Sequence, residues 1–248
     1  MIELRQVTRV FDRKTAVDSL DLDVPPGELF AFLGPNGAGK TTTIKMMVGL
    51  LRPTRGRLRI AGFDVVRQPR EASLQTGYVP DEPYLYDKLS GREFLDFVSQ
   101  LYGLPPPAAA ARIEQLIETF GLADFVDDLT ESYSHGMRQR LVYASALLHD
   151  PQVLILDEPM VGLDPRSMRL VKDLLRAKVR EGKTVFMSTH TLAIAEEIAD
   201  RIAVIADGRL LYLGTVEALR LQLSRSDSLE QLFLTLTEQE SDRVGPGR

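Results

Sequence analysis

The chain has 248 residues, 44% apolar and 26% charged, with a formal net charge of −5, the balance of a globular protein of one large domain or two small ones. Its mild acidity argues against non-specific duplex nucleic acid as the main ligand, because phosphate neutralisation needs clustered Lys and Arg. With no cysteine, disulfides, thiolate zinc sites and a cysteine nucleophile are excluded together, and His135, His149 and His190 are too scattered for a metal cage.

Met1-Ile2-Glu3-Leu4-Arg5 lacks the basic-then-apolar pattern of a leader, and no apolar run approaches the ~20 residues of a membrane span. A soluble, cytoplasmic protein is expected. Leu29-Phe30-Ala31-Phe32-Leu33 is long enough for a buried strand. Gly34-Pro35-Asn36-Gly37-Ala38-Gly39-Lys40-Thr41 follows, and Thr42-Thr43-Ile44-Lys45-Met46-Met47 reads as the opening turns of a helix. Strand, G-x-x-x-x-G-K-[ST] and helix together frame a phosphate-binding loop. Gly34, Gly37 and Gly39 let the backbone curl with its N–H groups inward, and bulkier residues there would bar close approach to phosphate oxygens. The helix aims its partial positive end at the same anion. Lys40 is placed to reach the β- and γ-phosphates and the Thr41 hydroxyl to complete a Mg²⁺ shell, so a nucleoside triphosphate is the expected ligand.

Gly77-Tyr78-Val79-Pro80 reads as another strand, followed by Asp81. Helical signals then interrupt the α/β pattern over residues 82–150. Pro83-Tyr84-Leu85-Tyr86-Asp87-Lys88-Leu89 is dense in aromatic and aliphatic groups, which either pack inside or form an exposed groove for a partner helix. Ser90-Gly91-Arg92-Glu93 is a capping box, opening a helix whose expected apolar face is Phe94, Phe97, Val98 and Leu101. Gly103-Leu104-Pro105-Pro106-Pro107 is a break, and Ala108–Phe120 a second helix. Ser134 is the natural N-cap of a third, over Met137–Leu148, with Met137, Leu141, Ala144 and Leu148 on one amphipathic stripe. The start of that helix is a second anion site. One cradle does not need another in the same chain, so the Ser134 end is expected to meet the γ-phosphate held by another subunit. His149, before Asp150-Pro151, is expected to cap the helix C-terminus.

Val153-Leu154-Ile155-Leu156 is a second buried-strand run, ending in Asp157-Glu158-Pro159. Adjacent residues on an extended chain point to opposite sides, so the two acids divide the work. Asp157 would hold Mg²⁺ and Glu158 would act as general base toward the attacking water. A helix is expected from Pro165, then a strand Thr184-Val185-Phe186-Met187 leading through Ser188-Thr189 to His190, on the ligand-binding rim of an α/β sheet. There His190 could donate to the γ-phosphate and hold the water and Glu158 in line. A helix over Thr191–Asp200, strands Ile202–Ala206 and Leu210–Leu213 around an Asp207-Gly208 turn, a helix opening at Ser228 and a frayed tail from Ser241 complete the reading.

In this order the motifs resemble the ATP-binding-cassette (ABC) ATPases over essentially the whole chain. Gly34–Thr41 is similar to Walker A, Asp157-Glu158 to the end of Walker B, and Ser134-His135-Gly136-Met137 occupies the signature slot. Gly162-Leu163-Asp164-Pro165 resembles the D-loop, His190 the switch histidine, and Phe11 stands where the family stacks an aromatic on adenine. No Asn-Lys-x-Asp base-reading motif is present, in keeping with stacking. The resemblance implies a P-loop α/β core with a mixed, mainly parallel sheet, N-terminal antiparallel strands and an inserted helical subdomain. Its implied bounds are 1–82 and 150–222 for the core, 83–149 for the subdomain, 223–240 for a C-terminal helix and 241–248 for a flexible tail. It also implies a dimer with two ATPs sandwiched between Walker A (Gly34 to Thr41, with Thr42) of one subunit and Ser134, His135, Gly136 and Asp164 of the other. The implied partner is a permease on a separate chain, at the inner face of the cell membrane. Asp81 stands in place of the family's Gln and retains metal-ligating oxygens while losing the amide donor. His135 and Met137 depart from the signature, whereas Ser134 and Gly136 keep it. The stretch Tyr133–Arg140, with Asp81, looks more like the exporter branch than the importers. Two other readings stay open: a soluble ABC ATPase acting on nucleic acid or ribosomes, disfavoured by the lack of a coiled-coil insertion, a second cassette or a basic stripe, and a non-hydrolysing ATP-dependent dimer switch.

Overall fold

The computed structural model describes residues 1–221, so the expected helix at 223–240 and tail at 241–248 lie outside the described residues. β1 (Ile2–Phe11), β2 (Lys14–Val24), β4 (Arg55–Ile60) and β5 (Phe63–Asp64) form an antiparallel sheet in the order β2-β1-β4-β5. β3 (Leu29–Leu33), β6 (Thr76–Val79), β7 (Val153–Leu156), β8 (Thr184–Thr189), β9 (Arg201–Ala206) and β10 (Arg209–Gly214) form a second, ordered β10-β9-β3-β8-β7-β6. Its neighbours pair in parallel except at the β9–β10 hairpin.

Residue parity on this second sheet separates two cores. All five residues of β3 are buried, as expected of a central parallel strand covered on both faces. Phe30 and Phe32 join Ile155, Phe186 and Ile205 on the face that meets α1 (Lys40–Met47) and the antiparallel sheet. Leu29, Ala31 and Leu33 join Leu154, Met187 and Val204 on the face covered by α6 (Pro165–Arg180) and α7 (Leu192–Ile198). α2 (Pro69–Leu74) precedes β6, and α8 (Val216–Leu221) closes the described chain.

The helical signals between β6 and β7 are α3 (Gly91–Leu101), α4 (Pro106–Phe120) and α5 (His135–Leu147), with a short 3-10 turn at Thr130–Ser132. Ser90 and Glu93 make the reciprocal capping box that the sequence predicts. The face of α3 differs from expectation. Leu95 is wholly buried beside Phe94, whereas Phe97 and Leu101 are exposed, because α4 and α5 pack on one side of the helix only. α5 also differs: Leu141, Val142, Tyr143, Ala144, Ala146 and Leu147 are all buried, so beyond its first turns it is enclosed around most of its circumference. Nor does His149 cap that helix. Its Nε2–H donates to Thr76 O at 3.1 Å and its ring stacks on Tyr102, centroids 3.6 Å apart. Burial pushes the imidazole down to about 4, consistent with a neutral ring bonded to a carbonyl. Among the described residues no helix is long and apolar enough to cross a membrane.

Candidate nucleotide-binding site

Parallel strands end together on one edge of the sheet, and the chemistry collects there. Gly34 follows β3, Asp81 lies just beyond β6, Asp157 follows β7 and His190 follows β8. The loop after β3 is drawn tightly against its surroundings. A Cβ on Gly34 would stand 2.4 Å from Ile205 O, and one on Gly39 would stand 2.5 Å from Ala16 O. Neighbouring backbone bars a side chain at these two positions, while Gly37 and Gly39, at φ +84 and +108, supply the backbone curl expected from sequence.

α1 begins at Lys40 directly after Gly39, with no side-chain cap. Its first N–H groups are thereby left for an anion. The Lys40 ammonium, 6% exposed, donates to Gly34 O at 2.7 Å and Pro35 O at 3.3 Å, and lies 3.3 Å from Glu158 Oε1. A cleft of about 360 Å³ brings together Phe11, Lys14 and Ala16 from the antiparallel sheet, the loop residues Pro35, Asn36, Gly37 and Gly39, then Lys40, Thr41 and Thr42, and finally Asp81 and Glu158. Gly34 and Ala38 sit behind it, buried.

The two acids diverge as expected, by a different device. β7 ends at Leu156, and Glu158 takes a left-handed backbone with φ +48, so a turn rather than strand alternation sets them apart. Asp157, 1% exposed, accepts the Ser188 hydroxyl at 2.6 Å, and the same Oγ accepts the Glu158 N–H at 2.9 Å. Glu158 Oε2 meets His190 Nδ1 at 3.0 Å while Oε1 faces Lys40. Burial, then the charges of Asp157 and Glu158, hold the Asp81 carboxyl above its ordinary value, so the three acids share one electrostatic neighbourhood. Ser188 is the functional residue that sequence reading passes over. In sequence it is one of three hydroxyls in β8, with Thr184 and Thr189, and nothing local sets it apart.

The Ser134 end stands apart from this cleft. Ser134 caps α5 by accepting the Met137 N–H at 3.3 Å, and Ser134, His135 and Gly136 are exposed, with none of them lining the cleft. The His135 ring lies against Gly162, where a Cβ would come within 3.4 Å of its Nε2. Asp164 caps α6, taking the N–H groups of Arg166 and Ser167 and the Ser167 hydroxyl, which hold its carboxyl below the usual range. Tyr143 of α5 donates to Pro159 O at 3.1 Å, tying that helix to the turn after Glu158.

A phosphate loop after one parallel strand, an acid pair after a second and a histidine after a third define a P-loop nucleoside-triphosphate-binding protein. Residues 17–161 match the ABC transporter family. The daunorubicin/doxorubicin resistance ATP-binding protein DrrA of Streptomyces peucetius is 40% identical over 243 residues, 98% of this chain and 74% of its own. The Nod factor export ATP-binding protein I of Paraburkholderia xenovorans is 38% identical over 218 residues, 88% of this chain and 72% of its own. A solved structure of the ATP-binding subunit of an ABC transporter has a TM-score of 0.89 at 32% identity, covering 96% of this chain and 99% of that one. The chain belongs to the ABC transporter family and is one of its ATP-binding domains.

Proposed function

We propose that this chain is the ATP-hydrolysing subunit of a membrane exporter, working as an ATP-dependent dimer on the cytoplasmic side of the membrane. The observation that carries the proposal is Glu158, set between Lys40 of the phosphate loop and His190 of the neighbouring strand. A hydrolytic site needs a carboxylate at that place, and a nucleotide sensor does not. Glu158 takes the proton of the attacking water, a role commonly worth ~10²–10⁴ in rate. His190 orients it through Oε2 and stands where it can donate to the γ-phosphate. The loop from Gly34 through Thr42 holds the triphosphate, and Phe11 stacks on the base.

Mg²⁺ fits the residues available. The donors are all oxygens, from Thr41, Asp157 and Asp81, and among the described residues no group of three or more metal-ligating side chains forms a dedicated cage. That suits an ion held largely by water and phosphate, whose contribution is to neutralise charge on the phosphate oxygens. Ser134, His135, Gly136 and Asp164 complete the site of the second subunit, which their exposure away from the cleft supports. The second nucleotide-binding subunit is a copy of this chain or a close relative. The core at 1–82 and 150–222 carries catalysis, while the subdomain at 83–149 faces the permease through exposed Tyr84, Tyr86 and Phe97. Both relatives named above are export or resistance proteins by name, which supports the exporter reading.

Mixing two disabled variants tests the composite site. Ser134→Arg spoils the anion end of α5, and Lys40→Ala spoils the loop. Each alone should be inactive, and a mixed dimer should regain one competent site and measurable ATP turnover. Mixed dimers that form yet stay inactive would refute sharing across subunits.

A further inference from the structure

The nucleobase platform has a second layer. The Arg9 guanidinium carbon lies 4.4 Å from the centroid of the Phe11 ring, within cation–π range. Arg9 Nη1 donates to Arg52 O at 3.0 Å, and the Val10 N–H donates to Thr54 Oγ1 at 3.1 Å, so the segment after α1 anchors this end of β1. Arg9 Nε is buried without a hydrogen-bond partner, and among the described residues no carboxylate pairs with this guanidinium. The cation is thus held against an aromatic face rather than against an acid. Phe11 itself is 41% exposed, at the last position of β1 before the turn into Lys14. It lines the phosphate-loop cleft together with Lys14 and Ala16, and Arg9 does not. The ring therefore both packs against a fixed cation and lines the cleft, which the cation itself does not.

From this arrangement we infer that Arg9 is a positioning residue for the nucleobase, acting through Phe11; the inference rests on the nucleotide-binding reading above. Two effects follow from the geometry. The guanidinium pins a ring that would otherwise lose rotamer freedom on binding, which lowers the entropic cost of stacking. It also draws π density toward itself, leaving the cleft-facing side less negative and better matched to an electron-rich purine. Neither effect reaches the phosphates, so the contribution of Arg9 belongs to the base alone.

The test compares ATP with inorganic tripolyphosphate, which lacks a base, by calorimetric titration of the full chain as wild type, Arg9→Leu and Arg9→Lys. Arg9→Leu should weaken ATP binding about two- to fivefold, the range of a partly exposed cation–π contact, and leave tripolyphosphate binding unchanged. Arg9→Lys, which keeps a cation on the ring, should retain most of the ATP affinity. Arg9→Gln replaces Arg9→Leu if the latter fails to fold. Equal loss for both ligands would reduce Arg9 to a structural or long-range charge effect and overturn the inference, as would no loss. Tighter ATP binding would also overturn it, by showing that the guanidinium shields the stacking face. A wild-type chain that binds neither ligand would sink the nucleotide reading itself, a result distinct from each of these.

Discussion

Ser188→Ala tests whether the acid pair depends on one hydroxyl. Ser188 is fully buried, its Oγ–H 2.6 Å from Asp157 Oδ1 and its oxygen accepting the Glu158 N–H at 2.9 Å. Alanine fits the space and removes both bonds, leaving a carboxylate oxygen and a backbone N–H unpaired away from water. Each unsatisfied group costs ~1–3 kcal/mol, with the charged acceptor at the upper end, so the substitution should destabilise by about 2–5 kcal/mol. For a chain of this size that lowers the melting temperature by roughly 4–20 °C. Function should suffer separately. Glu158 is held in a left-handed backbone conformation, and the lost bond to its N–H is one of the contacts that keep it there. Loss of a group that orients a metal-ligating carboxylate typically lowers metal affinity or activity 10–100-fold, so the Mg²⁺ requirement of ATP turnover should rise by about that factor. Thr189→Ala is the matched control. It removes only the bond from the Thr191 N–H at 3.1 Å and should cost about 1 kcal/mol. Thermal melts and turnover at graded Mg²⁺ check both variants. If Ser188→Ala melts within a degree or two of wild type and shows an unchanged Mg²⁺ dependence, the hydroxyl does not organise the acids.

The folded chain keeps His149 neutral down to about pH 4, whereas unfolded it takes a proton near 6.5. Between those values the unfolded state binds more protons, so stability falls as pH drops through the window, by roughly 3 kcal/mol at its lower end. His149→Phe keeps the stack on Tyr102 and should flatten this part of the urea-midpoint profile; an unaltered slope would place its origin elsewhere. Glu158→Gln should lower turnover by ~10²–10⁴ while ATP binding persists and an ATP-dependent dimer accumulates in size-exclusion runs, and wild-type turnover would show that Glu158 is not the base.

What sequence made legible was local. Gly34–Thr41 announces itself because strand, turn and helix are contiguous, and Asp157, Glu158 and His190 because each follows an apolar run. The rest depends on contacts between distant segments. Placing β3 between β8 and β9 brings residues near 30 beside those near 186 and 202, a pairing no local period encodes. Ser188 has no signature of its own, since its meaning comes from β7 lying alongside. The α3 face departs from the sequence pattern because Phe97 and Leu101 are more conspicuous in sequence than Leu95, while burial follows what packs against the helix. His149 sits just beyond a helix end, which suggests a cap, yet its acceptor is Thr76, 73 residues away.

The Lys40 ammonium, the proposed phosphate contact, is also the counter-ion of Glu158, the proposed base. Lys40 has three N–H donors, and here Gly34 O, Pro35 O and Glu158 Oε1 lie around them. A triphosphate at Lys40 competes with Glu158 for one cation, and carries the greater charge. Were Lys40 to pair with phosphate instead, Glu158 would keep the His190 contact at 3.0 Å and lose the one to Lys40. Its bond to His190 does not involve Lys40, so the side chain need not lose its orientation when the ion pair breaks. On the proposed reading, substrate arrival would release Glu158 from Lys40 while leaving it on His190. Replacing Glu158 by glutamine would remove the competitor for Lys40 along with the proposed base, so lost turnover and retained ATP binding are expected together.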